Sequence, residues 1–204
     1  MNNLFAGDLI NSYSSSALSC VVFIYMMNLL FLLSPLANAV FTAAELATTT
    51  HYSDGLVGAC GCGDSSGAYS WQLKPAQFGI GNATYTAAGS QALFDSSGEG
   101  WCGSGCGKCY RLTSTGVSAC PTCGEGGEAG RSITVMLTNL CPYVTNEEWC
   151  PNAGGINAYG YAHHFDIMSP DVIFGDNVVV EFSQVDCPLV ARMDWRRCEC
   201  SSRP

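Results

Sequence analysis

Apolar and polar positions alternate along four stretches in the second half of this chain. One stretch begins at Tyr110 and Leu112, and Ser132-Ile133-Thr134-Val135-Met136-Leu137-Thr138 is a second. A third centres on Phe165 and Ile167, and Asn177-Val178-Val179-Val180-Glu181-Phe182-Ser183-Gln184-Val185 is the fourth. Period-two spacing with β-branched and aromatic content predicts a strand at each. Upstream, Thr50-His51-Tyr52-Ser53 before Asp54-Gly55 reads as a short strand ending in a turn, preceded by a polar lead over 42–50. Residues 84–95, with Ala87, Ala88, Ala92, Leu93 and Phe94, predict a helix. Gly-rich and Cys-rich loops separate these elements, and no internal repeat, heptad or second-domain boundary interrupts them. Short strands joined by long loops imply a mainly β domain, closed as a barrel so that no sheet edge is exposed.

The N-terminal block departs from this pattern. Residues 16–40 carry Val21-Val22-Phe23-Ile24-Tyr25-Met26-Met27 and Leu29-Leu30-Phe31-Leu32-Leu33 with no charge, then Pro35 and Ala37-Asn38-Ala39. An apolar run closing on a small-x-small site reads as a secretory signal cleaved after Ala39. The expected organisation is a signal peptide over 1–39 and a single β-barrel domain over 40–204. The preceding residues hold Asp8 and no Lys or Arg, so the usual basic n-region is missing, and a translation start at Met26 or Met27 is the alternative reading.

Cysteine usage points to the same address. Of 13 cysteines, Cys20 lies in the apolar block. The rest are Cys60, Cys62, Cys102, Cys106, Cys109, Cys120, Cys123, Cys141, Cys150, Cys187, Cys198 and Cys200. An even, dense set behind a signal predicts disulfide-tied loops in an oxidising compartment, with pairing left open. The two Cys-x-x-Cys pairs have a spacing used for zinc, but the loop between them is short and extracellular thiols oxidise. No metal or cofactor is expected. The net charge of −9 argues against nucleic acid and suits a neutral partner such as a polysaccharide. A secreted monomer that leaves the membrane once its signal is removed is the expected form.

The candidate chemistry centres on Ala162-His163-His164-Phe165-Asp166-Ile167-Met168. A carboxyl group inside an apolar strand must be paired, hydrogen-bonded or kept protonated. A carboxyl kept protonated near neutral pH is what a general acid needs. Asp54, beside Gly55 in a polar turn, is placed to stay ionised.

Four blocks occur in order: Thr50-His51-Tyr52-Ser53-Asp54; Gly100-Trp101-Cys102 with Cys109-Tyr110-Arg111-Leu112-Thr113; His164-Phe165-Asp166; and Gln184-Val185-Asp186-Cys187-Pro188 with Val190-Ala191-Arg192. Together they resemble the glycoside hydrolase family 45 endoglucanases, especially the group found in animals such as molluscs. The resemblance implies a six-stranded double-psi β-barrel with long disulfide-tied loops, cutting internal β-1,4 bonds of cellulose with inversion. It carries over Asp54 as general base and Asp166 as general acid. Tyr52, Trp71 and His164 become candidate substrate contacts, because sugar rings stack on aromatic faces. The best-known subgroup has a further Asp seven residues before the acid, where this chain has Tyr159. Asn139 and Asn157 are therefore candidates for an assisting role. The alternative is an expansin-like, non-hydrolytic wall-loosening protein, which shares the barrel and a His-Phe-Asp motif but lacks the base.

Overall fold

The computed structural model describes residues 44–54, 56–62, 84–169 and 171–202. The chain divides into two compact units, Met1–Thr42 and Ala43–Pro204, and everything described lies in the second. Among the described residues no helix is long and apolar enough to cross a membrane.

Six strands close into a barrel: β1 (Glu45–Tyr52), β2 (Thr84–Gly89), β3 (Cys109–Ser118), β5 (Ser132–Leu140), β6 (His164–Met168) and β8 (Val178–Val185). Around the ring the order is β1-β6-β2-β5-β3-β8, and β8 pairs back onto β1. The β1/β6 and β2/β5 pairs are parallel, and the other four are antiparallel. β4 (Gly126–Gly127) and β7 (Gly175–Asp176) pair as a separate two-stranded ribbon. The helices are α1 (Gln91–Phe94) and α2 (Leu189–Trp195), followed by a 3-10 turn at Glu199–Ser202.

Alternation along each strand sorts the barrel interior from its outer face. Ala47, Ala87, Leu112, Val135, Leu137, Phe165, Ile167, Val178, Val180 and Phe182 fill the inside. Tyr110, Phe165 and Phe182 meet at its centre with ring centroids 5.3–6.1 Å apart, an edge-to-face geometry that favours aromatic clusters. Because Phe165 and Ile167 point inward, His164 and Asp166 are turned outward, and the parallel register sets Thr48 beside His164 and Thr50 beside Asp166.

Two expectations change here. Residues 84–89 are a strand, and the helix is confined to Gln91–Phe94. Ala87 and Ala88 are intrinsically good helix formers, but β2 is enclosed between β5 and β6, and small side chains are what that space admits. A Cβ on Gly89 would stand 2.8 Å from Leu137 Cδ1. Tertiary packing has overridden propensity. Likewise β1 begins at Glu45, earlier than its polar composition suggested, because Ala47, Thr48 and Thr49 are buried. Thr49 Oγ1 satisfies its polarity by donating to the Val178 carbonyl at 2.7 Å.

The twelve cysteines form six bridges: 60–106, 62–198, 102–200, 109–187, 120–123 and 141–150. Both Cys-x-x-Cys pairs are thus committed to disulfides. Three bridges tie residues 60–62 and the C-terminal turn to the loop before β3, spanning segments up to 136 residues apart. Thiol titration of the unfolded, unreduced protein should find no free thiol beyond Cys20, where that residue is retained. Removing a long-range bridge should cost roughly 2–5 kcal/mol, read as a lowered melting temperature. Two or more titratable thiols per mature molecule would contradict the pairing.

Candidate active site

A row of side chains crosses four neighbouring strands: Thr50 on β1 stands opposite Asp166 on β6, Asp166 opposite Ala88 on β2, and Ala88 opposite Asn139 on β5. The last step depends on a bulge. Ala87 pairs with Leu137 but Ala88 pairs with Asn139, so Thr138 is the extra residue. Without it Asn139 would point into the barrel. Bulges re-aim side chains in this way next to functional sites.

Asp166 is half-buried, and burial pushes its carboxyl above the usual range. A 2.6 Å bond donated by Thr50 Oγ1 to Oδ1 and the nearby His51 ring oppose that shift, while the charge of Asp54 adds to it. Asp54 lies just past β1, exposed, with Oδ1 accepting from Leu56 N at 3.0 Å. This self-bonded turn holds its carboxylate at the strand exit. Two carboxyl groups in unlike surroundings, within electrostatic reach of one another, are what acid-base hydrolysis of a glycosidic bond needs.

A second carboxylate, Asp95, contrasts with Asp166: hydrogen bonds hold it well below the usual range. The Ser97 hydroxyl contributes most, and backbone N–H groups of Ser104 and Ser97 add to it. It is a fully bonded anion stapling the turn after α1, with no proton to give at neutral pH.

Tyr52 packs with Trp149 over Ala88 and the Cys141–Cys150 bridge, and burial raises its phenol pKa. Its hydroxyl oxygen accepts a long 3.4 Å bond from Asn139 Nδ2. Asn139 Oδ1 accepts from Ala59 N at 2.7 Å and from Leu140 N at 2.9 Å, which fixes the amide's orientation. Gly58 permits that approach, since a Cβ there would sit 2.5 Å from the Thr138 carbonyl oxygen.

His164 is fully buried, with Thr48 on Nδ1 at 2.8 Å and Thr50 on Nε2 at 3.0 Å. Its ring is therefore enclosed, with Thr50 standing between it and Asp166. Burial lowers its pKa to about 3, keeping the ring neutral. Its nitrogen lies close to the sulfurs of Cys141 and Cys150, but these form a disulfide and offer no thiolate to a metal. Asn157 is buried too, with its amide occupied by Thr48, the Trp149 carbonyl and the N–H groups of Tyr159 and Tyr161. Trp71 lies outside the described residues.

Sequence reasoning missed Thr48, Trp149 and Glu148. The Trp149 ring lies 5.9 Å from the His164 ring and 4.5 Å from Tyr159, whose hydroxyl donates to Glu148. The bond to the Glu148 carboxylate holds the Tyr159 phenol up near 12. An aromatic cluster ending in a carboxylate thus borders the site.

A protein-family model described as EXPB1-like domain 1 matches residues 47–201. Endoglucanase-5 of Hypocrea jecorina is 62% identical over 158 residues, covering 78% of this chain and 63% of that protein. An endoglucanase of Mytilus edulis is 44% identical over 133 residues, covering 62% of this chain and 68% of that one. Among solved structures, the GH45 endoglucanase EG27II in complex with cellobiose superposes with a TM-score of 0.66 at 34% identity, covering 78% of this chain and 90% of its own. The β-1,4-D-endoglucanase Cel45A of the blue mussel gives 0.65 at 33%, covering 78% and 93%.

Proposed function

Since the chain belongs to the EXPB1-like domain 1 family and to the glycoside hydrolase family 45 endoglucanases, we propose that it cleaves internal β-1,4 bonds of cellulose and related β-glucans with inversion. The carrying observation is the pair of unlike carboxyls: Asp166, half-buried with its pKa raised, and Asp54, exposed at the exit of β1. Asp166 gives its proton to the glycosidic oxygen as the C1–O bond breaks. Asp54 takes a proton from water as the water oxygen bonds to C1 from the opposite face. Asn139 has both carbonyl lone pairs engaged and one N–H on Tyr52. Its remaining N–H is available to hold the oxygen of that water. Tyr52 and the Trp149–Tyr159 pair supply apolar faces for the sugar rings. The apolar N-terminal block and the disulfides support secretion, and the enzyme acts as a monomer on a neutral polymer.

The test is a soluble β-1,4-glucan such as carboxymethyl cellulose, followed by viscosity and reducing ends together. Endo-cleavage should drop viscosity steeply for few new reducing ends. A folded protein that loosens cellulose networks while releasing no reducing ends would establish the non-hydrolytic alternative. The presence of Asp54 argues against that outcome.

A further inference from the structure

The two Cys-x-x-Cys pairs have different fates. Cys106 and Cys109 are bridged outward, to Cys60 and Cys187. Cys120 and Cys123 close on one another across Pro121 and Thr122. We propose that this second pair is a thiol–disulfide exchange site. A low-molecular-weight thiol in solution opens it while the other bridges stay shut, and opening releases the loop's hold on Asn177.

Access is the first reason. Every other bridge has at least one buried cysteine: Cys60, Cys62, Cys200, Cys109 or Cys150. Cys120 and Cys123 are both partly exposed, and the two residues between them are exposed. An attacking thiolate must reach a sulfur, so access decides which bridge reacts. The second reason is what the fold loses. The other bridges join positions 9 to 136 residues apart. In the chain-entropy account, stabilisation grows with the length of chain enclosed. A bridge between residues three apart therefore contributes least, and the barrel does not depend on it.

The third reason is the setting of the sulfurs. Thr122 Oγ1 lies 3.6 Å from Cys120 Sγ, and Ser118 Oγ lies 3.7 Å from Cys123 Sγ. A bridged sulfur has no hydrogen, so each hydroxyl is the donor. Whichever sulfur leaves, a hydroxyl stands ready to stabilise it as a thiolate, which favours its departure. In the first step the incoming thiolate bonds to one sulfur as the Cys120–Cys123 bond breaks. The other sulfur leaves as a thiolate and takes a proton from water. A second thiol then attacks the incoming sulfur, which departs in a small-molecule disulfide. Two electrons pass to the protein, and Cys120 and Cys123 are left as thiols.

Opening acts on one contact. Ala119 N donates to the Asn177 carbonyl at 2.9 Å, and Asn177 Nδ2 donates to the Cys123 carbonyl. The bridged loop thus grips the head of β8 from both sides of one residue. Asn177 also lines a small cavity with Thr50 and His51, so this grip extends to the strand that carries the partner of Asp166.

Differential alkylation with mass mapping tests the proposal on the folded protein. As dithiothreitol is raised, Cys120 and Cys123 should label at a concentration about tenfold or more below any other pair. Oxidised dithiothreitol should erase the label. Amide hydrogen exchange at Ala119 should quicken in the opened form while the central β3 amides keep their protection. The double variant Cys120→Ala/Cys123→Ala should fold, lack the early label, and melt closer to the native protein than Cys62→Ala/Cys198→Ala does. Another bridge opening first, all bridges opening together, unchanged exchange at Ala119, or a Cys120→Ala/Cys123→Ala protein that does not fold would each overturn the proposal.

Discussion

Asp166→Asn should lower hydrolysis of unactivated β-1,4-glucan by ~10²–10⁴-fold, the range lost with a positioned acid. The asparagine keeps the shape of the side chain and still offers Thr50 an acceptor, so the loss should be chemical. Glycosides with a strongly acidic leaving group need little protonation and should lose far less. Equal losses on both substrate types would remove Asp166 from the acid role. The fold supplies an independent control. Burial raises this carboxyl in the folded chain above an unfolded value of ~3.9. Between those two values the folded chain binds the extra proton, so stability falls as pH rises through the window. Above that window the native enzyme bears a half-buried charge that the asparagine lacks. Its melting temperature should be at or above that of the native protein. A clear drop would trace the lost activity to damage in the fold.

The parts of this site that were legible in the sequence are those carried by local pattern. Asp166 sits where period-two alternation points it away from Phe165 and Ile167, and Asp54 sits in a turn its own side chain helps to form. What was hidden depends on register. Thr48 and Thr50 lie 114–116 residues from His164, and nothing short of the parallel β1/β6 pairing brings their hydroxyls to the ring. The outward turn of Asn139 needs one bulged residue at Thr138, which has no signature in the run Met136-Leu137-Thr138-Asn139. The misreading of β2 as helical has the same origin. Alanine favours a helix when alone, but a strand enclosed by two neighbours needs small residues, and only the closed ring reveals that enclosure. Disulfide partners such as Cys62 and Cys198 were likewise beyond reach until the chain termini of the domain were placed side by side.

Each β-linkage should release an α-configured reducing end first, before mutarotation mixes the anomers. This tests Asp54 and Asp166 as a unit, because water activated by Asp54 must attack the face opposite the departing oxygen. Early-time proton NMR of a cello-oligosaccharide digest reads the anomer directly. Room for that water implies carboxyls roughly 6.5–9.5 Å apart in the bound complex, whereas a nucleophilic carboxylate would close the gap to roughly 5–5.5 Å. Initial β product would therefore signal a covalent intermediate and sink the base assignment, even if Asp54→Ala were inactive. Asp54→Ala should itself lose ~10²–10⁴-fold, and an activated leaving group should not rescue it, since water must still be deprotonated. That lack of rescue is the opposite of the response expected for Asp166→Asn. If Asp54→Ala stays active and still yields α product, water activation passes to another group. Asn139 would be the first to replace, because it stands in the same row of strand positions as Asp166 and Thr50.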